Sequence, residues 1–434
     1  MENATSLVTS YRDFAAALLQ DGVLSDPWVD GLPRFRMAPV VLTRTMMRTL
    51  YKAGRAMVAL HEEVARLCAA IPELVEEFFD WPSTHREMWL ASGGAWHGVA
   101  RADVFVTEDG PVVCELNCDT PSGQAEAVAL GNAFAGEEMR APWVDPNQGL
   151  AESIGRLVES AAARVSAPSL ALCTGRPDRS TRPTIGIVYP TELAEDLCVI
   201  ERHRRWFEAR GLRVVLGSPF NLHPDGAGGV ALFGVSCAVV YRHYKTDWWG
   251  ERHPIWRDAE PVPDSAPIAA PLAFLLSATA RGRCSVVNPV GAILTQNKRS
   301  MALMWEELPR FSAVARAAIR RYVPPTFRLE SLPLAQLKRE RWNWVLKSDY
   351  GAEGEEVILG AQCTQAEWGA TLDRAVPKRW IVQRRFEARR DGNGNIPNYG
   401  VYVVDGRPCG LFTRLQCGST DRHAISAATL VRLP

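Results

Sequence analysis

The chain has 434 residues, of which 47% are hydrophobic and 23% charged, the composition of an ordinary globular protein of two or three packed units. Its 49 basic and 49 acidic side chains give a formal net charge of +0. Proteins that bind duplex nucleic acid usually carry a basic excess. The balance therefore argues against nucleic acid as a partner.

The sequence has no feature of secretion or membrane insertion. Its first residues, MENATSLVTSYRDF, lack the basic flank and apolar core of a signal peptide. No stretch approaches the roughly 20 apolar residues needed to span a bilayer. The ten cysteines are scattered, and no second pair follows Cys114 and Cys118 at zinc-site spacing. We therefore expect no membrane contact, reduced thiols and a cytoplasmic location.

The first part of the chain predicts a helical region followed by a hairpin. Residues 40–78 carry apolar side chains at helical spacing, with Pro72 interrupting the pattern near its end. The segment ARADVFVT then alternates apolar and polar residues, and PVVCELN does so after the turn at 108–110. Two such runs around an Asp-Gly turn predict a β-hairpin.

The middle of the chain predicts strands alternating with helices. Buried strands are expected at 184–190, 212–219 and 237–244, with an amphipathic helix over 192–211. This alternation predicts a parallel, doubly wound sheet, which we place in a domain at 167–290.

The last part of the chain predicts more strands. Three strand-like segments lie at 344–360, 380–388 and 398–416, and we expect them to form one antiparallel sheet. A glycine-containing turn is expected at 351–354.

Polar side chains alternate along both strands of the predicted hairpin. Arg101 and Asp103 share one face of the first strand, and Glu115, Asn117 and Asp119 share one face of the second. If the strands pair through the turn, the two faces can coincide. Carboxylate and amide oxygens at this density suit Mg²⁺, and an arginine beside them suits phosphate or carboxylate oxygens. The alternative is the solvated face of an ordinary hairpin.

A second set of residues carries positive charge. Lys347 lies on an otherwise apolar strand before Gly351 and Gly354, which suits a loop that covers phosphates, and Lys298 lies in a helix expected from about Gln296. An edge lysine in an ordinary hairpin explains the same pattern. The strand leading into Gln383 is compatible with a backbone edge for adenine. The sequence contains no Walker-type, HExxH or GxGxxG motif.

Together these segments resemble the circularly permuted ATP-grasp family, which includes glutathionylspermidine synthase. The resemblance is carried by RADVFVTEDGPVVCELNCDTPSG, NPVGAILTQNKRSMAL, VLKSDYGAEGEEV, and IVQRRFE followed by YGVYVVDGRPCGLFTRL. Ordinary ATP-grasp enzymes have their lysines before the acidic metal ligands, whereas here the acidic hairpin comes first. The resemblance implies an α/β fold of the α+β ATP-grasp type with permuted segment order. A doubly wound pre-ATP-grasp domain would be inserted between the nucleotide-binding segments.

The resemblance also implies a division of the chain into four parts. They are an N-terminal helical region (1–84), an ATP-grasp segment with the metal-binding hairpin (85–166), the pre-ATP-grasp domain (167–290) and an ATP-grasp segment with the phosphate- and adenine-binding sheet (291–434).

Roles for individual residues follow from the same resemblance. Asp103, Glu115 and Asn117 would hold Mg²⁺ on the phosphates of ATP, and Arg101 would be a catalytic contact to the acyl phosphate or the substrate carboxylate. The implied nucleotide contacts are Lys298, Lys347, Gly354, Val382, Gln383, Arg384, Arg385 and Arg414. The implied contacts to the acid substrate are Asp119, Thr120 and Ser122.

The implied activity is that of an ATP-dependent carboxylate–amine ligase, which forms a C–N bond through an acyl-phosphate intermediate with ATP and Mg²⁺. Its partners would be a small-molecule or peptide carboxylate and an amine. The basic segment after Gln383 and the DGNGN insertion at 391–395 depart from the family pattern. Two alternatives use the same site: a phosphotransferase that releases its phosphorylated product, and an idle ATP-grasp scaffold that binds nucleotide or a partner.

Overall fold

The structure is a computed structural model. It describes residues 10–134, 143–165, 182–251 (except the side chain of Glu195), 268–351, 357–375, 379–416, 418 and 423–433. Within these ranges the chain is a mixed α/β protein with several separate sheets. No helix in the described ranges is long and apolar enough to cross a membrane. The eight cysteines described in the structure are free thiols.

The helical elements follow the apolar spacing of the sequence. In chain order the α-helices are α1 (Tyr11–Leu19), α2 (Arg44–Ala70), α3 (Pro72–Phe79), α4 (Ser83–Ala91), α5 (Gln124–Ala133), α6 (Leu150–Ala163), α7 (Leu197–Ala209), α8 (Ala269–Ala280), α9 (Ala292–Gln296), α10 (Arg299–Glu306), α11 (Ala313–Tyr322), α12 (Leu334–Arg339) and α13 (Gln365–Arg374). Thr43 caps α2 by accepting the Met46 N–H at 3.1 Å. Pro72 begins α3, where its missing N–H removes no helical hydrogen bond. The helix predicted over 40–78 is thus confirmed from residue 44 as two helices, whereas residues 40–43 form a strand.

Strands are shorter and more dispersed along the chain. They are β1 (Trp28–Val29), β2 (Leu32–Pro33), β3 (Val40–Thr43), β4 (Val99–Thr107), β5 (Gly110–Asn117), β6 (Trp143–Val144), β7 (Thr184–Val188), β8 (Arg213–Gly217), β9 (Leu222–Pro224), β10 (Val230–Leu232), β11 (Val235–Cys237), β12 (Val239–Arg242), β13 (Ser285–Val287), β14 (Thr326–Arg328), β15 (Trp344–Ser348), β16 (Val357–Leu359), β17 (Trp380–Arg384), β18 (Ile396–Val404), β19 (Arg407–Gln416), β20 (Ile425–Ala427) and β21 (Thr429–Arg432). Three sheets built from these strands position the candidate site.

The first is a five-stranded antiparallel sheet in the order β20-β19-β18-β4-β5. It contains the predicted hairpin, which is confirmed as β4 and β5 joined at Thr107 and Gly110. Helix α2 covers one face of this sheet with the buried side chains of Leu50, Ala53 and Met57. Because successive side chains of a strand point to opposite faces, every second residue of β4 and β5 points away from α2 to the other face of the sheet.

The second is a four-stranded antiparallel sheet in the order β14-β17-β15-β16. Its outer face packs on α13 through Trp368 and Leu372, which are fully buried. The sequence predicted that 344–360, 380–388 and 398–416 share one sheet, and this is wrong. Strand β18 pairs instead with β4 of the hairpin, with Tyr402 opposite Arg101, and β19 pairs with the other edge of β18.

The third is a parallel sheet in the order β13-β12-β7-β8. Helices α6 and α7 cover one face with side chains such as Val158 and Ile200, and α8 packs on the other side with Leu275. The predicted parallel, doubly wound unit is therefore confirmed. The small antiparallel sheet of β9, β10 and β11 between β8 and β12 was not predicted.

Candidate nucleotide and metal site

The polar face of the hairpin is brought together by the strand register. Asp103 lies opposite Glu115, and Arg101 lies opposite Asn117, with a β-bulge after Asp103. Directly opposed residues of an antiparallel pair project from the same face, so the expected coincidence of the two faces is confirmed. The Asn117 amide donates to Glu115 Oε1 at 3.1 Å.

Asp103 is the centre of a buried charge network. Arg101 donates to it through Nε at 2.8 Å and Nη2 at 3.2 Å, and Arg414 of β19 donates through Nη2 at 2.6 Å. The Asp103 carboxylate is 1% exposed. Burial alone would raise the pKa of Asp103, but the two guanidinium groups lower it below its ordinary value. Asp103 therefore stays ionised and holds both arginines in place.

Neighbouring strands make room for Arg101 and fix its orientation. A Cβ added to Gly400 of β18 would approach Arg101 Cδ to 2.7 Å, so the glycine leaves space for the arginine stem. Arg101 Nη1 donates to the Ser122 carbonyl at 3.0 Å, and the Tyr402 hydroxyl donates to the same oxygen at 2.8 Å. Gly400 was not among the predicted residues, because the pairing of β18 with β4 is not visible in the local sequence pattern.

Lys347 joins the four-stranded sheet to the hairpin. Its ammonium on β15 donates to Gln383 Oε1 at 2.8 Å and to the Cys114 carbonyl at 3.2 Å. The Gln383 amide in turn donates to Thr326 Oγ1 at 3.0 Å, which fixes its orientation. Because Cys114 precedes Glu115 on β5, Lys347 lies beside the polar face of the hairpin.

Lys298 approaches from the segment before α10. Its ammonium is buried and donates to the Gly351 carbonyl at 2.5 Å. Burial lowers the pKa of Lys298, and the Glu115 carboxylate opposes that shift. Lys298 and Glu115 also line one small pocket, together with Gln296. Gly354 lies outside the described residues.

The balance of charges in this cluster favours an anion. The four cationic side chains of Arg101, Lys298, Lys347 and Arg414 outnumber the carboxylates of Asp103, Glu115 and Asp349, and Asp349 is also paired with Arg379. A bare divalent cation gains little from such a site, whereas a polyphosphate is attracted to it. Among the described residues, no three His, Cys, Asp or Glu side chains come together as a metal site. The oxygens of Asp103, Glu115 and Asn117 therefore fit Mg²⁺ best when phosphates supply further ligands.

Asp119 does not join the hairpin face, and this corrects the expected alternation. Strand β5 ends at Asn117, so the side-chain alternation does not extend to residue 119. Asp119 is 1% exposed; Arg242 Nη1 lies 2.5 Å from Oδ1, and the Thr246 N–H donates to Oδ2 at 2.7 Å. The carboxylate thus ties the hairpin to the end of β12. The neighbouring side chains of Thr120 and Ser122 are half-buried.

The predicted adenine edge is not formed by the middle of β17. This strand pairs with β14 on one side and β15 on the other, so its backbone groups at 381–383 face protein strands. The N–H groups of Arg384 and Arg385 donate to the carbonyls of Pro325 and Asn343, both at 2.7 Å. Val382 is fully buried in the core behind the sheet, and the Arg384 side chain is exposed.

Two amides missed by the sequence analysis hold the hairpin in position. Asn288, after β13, accepts the Val99 N–H at 2.7 Å and donates to the carbonyls of Val99, Cys118 and Asp119 at 2.8–2.9 Å. Gln296 Oε1 accepts the N–H groups of Cys118 and Asp119 at 2.9 and 3.1 Å. Both amides occur in NPVGAILTQNK, but nothing in that pattern indicates their distant partners.

The chain is similar to known proteins in sequence over one part and in fold over almost its whole length. The family model described as glutathionylspermidine synthase preATP-grasp matches residues 268–424. Among solved structures, the chain is similar to an apo glutathione synthetase-like effector from Globodera pallida, with 10% identity, 99% of this chain and 98% of that chain covered, and a TM-score of 0.57. A protein from Methylobacillus flagellatus KT assigned as a gamma-glutamylcysteine synthetase matches with 13% identity, coverage of 90% and 88%, and a TM-score of 0.45. None of the curated protein sequences matches significantly.

The fold is thus that of a mixed α/β protein, similar over almost its whole length to the glutathione synthetase-like effector. The expected resemblance to glutathionylspermidine synthase is confirmed over residues 268–424, where the family model matches. The structural similarity extends over almost the whole chain and concerns the fold alone.

Proposed function

We propose that the chain is an ATP-dependent carboxylate–amine ligase that acts through an acyl phosphate. The observation that carries this proposal is the contact of Lys347 with the Cys114 carbonyl. It brings a lysine of the four-stranded sheet beside Glu115 and the arginine network of the five-stranded sheet. Two sheets that together bring a lysine, a carboxylate and an arginine network to one place suit a nucleotide with its metal better than either sheet alone.

Lys298 and Lys347 would bind phosphate oxygens of ATP. Both ammonium groups donate to neutral oxygens of Gly351, Gln383 and Cys114, which a phosphate can replace. Arg414 would add a third cation while keeping its bond to Asp103. We propose that Gln383 orients Lys347 and that Gly354 completes the nucleotide site.

Asp103, Glu115 and Asn117 are the residues proposed to hold Mg²⁺. Glu115 is half-buried and engages Asn117 through one oxygen, whereas Asp103 is committed to Arg101 and Arg414. Glu115 is therefore the more available ligand. When bound, the metal would neutralise charge on the phosphate oxygens.

The proposed reaction has two steps, a substitution at the terminal phosphorus of ATP and then a substitution at the acyl carbon of the substrate. A carboxylate oxygen attacks the terminal phosphorus of ATP, the bond to ADP breaks, and an acyl phosphate forms. The nitrogen of a neutral amine then attacks the acyl carbon, phosphate leaves, and the nitrogen loses a proton. Arg101 would stabilise the negative charge that develops on the phosphoryl and acyl oxygens. Thr120 and Ser122 would hold the acid, and Asp119 would position that segment through Arg242.

The activity is tested by following ADP release from Mg-ATP with panels of peptides and other acids, with and without amino acids and polyamines. The proposal expects ADP formation that needs both an acid and an amine, with a product joined by a new C–N bond. A panel that yields a phosphorylated acid but no joined product would identify a phosphotransferase instead.

One observation favours a second candidate, a nucleotide-binding scaffold without turnover. The Asp103 oxygens are engaged by two arginines in the structure. If those bonds persist with nucleotide bound, Asp103 is a weak metal ligand. Saturable Mg-ATP binding without ADP release for any acid and amine pair would support the scaffold.

The location and the domain limits follow the same proposal. The eight free thiols described in the structure accord with a reducing compartment, and we propose the cytoplasm. The permuted segment order, with limits at 84, 166 and 290, stays a prediction from the sequence.

A further inference from the structure

A lysine of the parallel sheet reaches the same segment of chain as Lys298. Lys245 follows β12 and lies at the carboxyl end of a strand in the sheet β13-β12-β7-β8. Ligands of open parallel sheets bind outside the carboxyl ends of the strands. The surrounding sequence, YRHYKTDWWG, is rich in aromatic residues, and no function was predicted for its lysine from the sequence.

The ammonium groups of Lys245 and Lys298 meet consecutive carbonyls. Lys245 Nζ donates to the Tyr350 carbonyl at 3.2 Å, and Lys298 Nζ donates to the Gly351 carbonyl at 2.5 Å. An ammonium has three N–H donors, so one carbonyl leaves others for a ligand. The two lysines come from separate elements, and their convergence places two positive charges at the beginning of the glycine-containing segment.

The immediate surroundings hold Lys245 without enclosing it. Its side chain is 18% exposed, and Asp247 Oδ2 lies 3.4 Å from the ammonium. The ammonium also lies 5.1 Å from the centre of the Trp248 ring, an arrangement that stabilises a cation. The long lysine stem can therefore move its charge from the Tyr350 carbonyl to a nearby ligand.

Three lysines act electrostatically at this place. Burial lowers the pKa of Lys298, Glu115 opposes the shift, and the charges of Lys347 and Lys245 lower it further. Mutual repulsion of this kind is relieved when an anion with several negative charges binds. The terminal phosphoryl group of a nucleoside triphosphate is such an anion.

Resting on the nucleotide site of the proposed function, we propose that Lys245 is a third lysine ligand of the terminal phosphoryl group of ATP. Its ammonium would exchange the Tyr350 carbonyl for a phosphoryl oxygen. Because Lys245 belongs to the parallel sheet, outside the two antiparallel sheets, it would meet the end of the triphosphate that faces the acid. The parallel sheet would then contribute directly to phosphoryl transfer.

Calorimetric titration with two magnesium nucleotides, ADP and the non-hydrolysable triphosphate AMP-PNP, tests this role. In Lys245→Met, we expect AMP-PNP to bind roughly tenfold more weakly or worse, the effect of losing a charged hydrogen bond. ADP, which lacks the terminal group, should change by less than about twofold. Lys338→Met is the matched control, because Lys338 pairs with the exposed Asp373 and should affect neither nucleotide.

Lys245→Gln protects the test against a folding defect. Glutamine keeps a donor for the Tyr350 carbonyl but lacks the charge, so it should show the same selective loss, with a thermal unfolding midpoint close to that of the wild type. Equal weakening of ADP and AMP-PNP would show that Lys245 only supports the segment at Tyr350, and would overturn the proposal. Unchanged binding of both would also overturn it. A wild-type chain that binds neither nucleotide would instead remove the proposed function.

Discussion

The two antiparallel sheets present their charged side chains in opposite ways. On the five-stranded sheet, Asp103 is bonded to Arg101 and Arg414, so charges neutralise each other. On the four-stranded sheet, Lys347 donates to the neutral oxygens of Gln383 and Cys114. The first arrangement gives a rigid platform, and the second keeps a positive charge available. An anion that binds here should therefore depend on Lys347 for its affinity, whereas the arginine network fixes the shape of the site.

The largest effect is expected from breaking the paired network. Asp103→Ala leaves two guanidinium groups buried without their counter-charge, and should lower the free energy of unfolding by about 3–5 kcal/mol. Urea unfolding followed by tryptophan fluorescence measures it. Glu115→Gln is the control on the paired strand, because Glu115 is half-buried and bonded only to an amide in the described network. If Asp103→Ala has the same free energy of unfolding as the wild type, the pairing of Asp103 with Arg101 and Arg414 does not stabilise the five-stranded sheet.

A charge pair between Asp349 and Arg379 lies at the end of β15 in the four-stranded sheet, and its pH dependence distinguishes it from Lys347. Burial raises the pKa of Asp349 to about 6, although Arg379 opposes the shift at 2.9 Å. The folded chain thus holds this proton more tightly than the unfolded chain, where an aspartate has a pKa of about 3.9. The stabilisation that protonated Asp349 gives to the folded chain is fully present below about pH 4 and is lost as pH rises through about 6. The free energy of unfolding should fall by at most about 3 kcal/mol over this range.

Asp349→Asn should remove that dependence. Urea unfolding of the wild type and the variant at several pH values between 4 and 7 gives the difference between them. We expect the difference to change across this window, with the wild type losing stability relative to the variant as pH rises. A difference that stays constant would mean that Asp349 titrates as it does in the unfolded chain.

Removing the available charge should affect ligand affinity rather than the fold. Lys347→Met should weaken Mg-ATP binding roughly 10- to 100-fold, because a hydrogen bond to a charged group contributes about 1.5–3 kcal/mol. Displacement of a fluorescent nucleotide analogue measures the affinity, with Lys338→Met as the control. Equal affinities of Lys347→Met and Lys338→Met would place the nucleotide elsewhere.

The smallest effect on stability is expected at Asn288, which attaches the hairpin of β4 and β5 to the parallel sheet. Asn288→Ala leaves buried backbone groups of Val99, Cys118 and Asp119 without partners, and should destabilise the chain by about 1–3 kcal/mol. Denaturant unfolding measures the loss, and hydrogen exchange should show faster opening at the ends of β4 and β5. Exchange that quickens evenly over the whole chain would contradict a local role for this amide.

What the sequence predicted well was local. Alternation and an Asp-Gly turn are properties of adjacent residues, and they were sufficient to place Arg101, Asp103, Glu115 and Asn117 on one face. The prediction for Asp119 failed because the strand ended two residues earlier, and alternation alone does not locate a strand end.

The remaining features depend on residues far apart in the chain. The pairing of β18 with β4 brings Gly400 beside Arg101, and no local pattern encodes it. The same holds for the hydrogen bonds of Asn288 to the ends of the hairpin. It also holds for the proposed role of Lys245, which depends on its contact with the Tyr350 carbonyl. The adenine edge was misplaced because a buried strand in a sequence does not show whether one or both of its edges are paired.

A nucleotide site between the two sheets is tested most directly by calorimetric titration with Mg-ATP of the wild-type chain and of the Glu115→Gln variant. We expect saturable binding by the wild type and weaker, less magnesium-dependent binding by the variant. No binding by the wild type at millimolar nucleotide would contradict a nucleotide site between the two sheets, and equal binding with equal magnesium dependence would contradict the role of the hairpin in holding the metal.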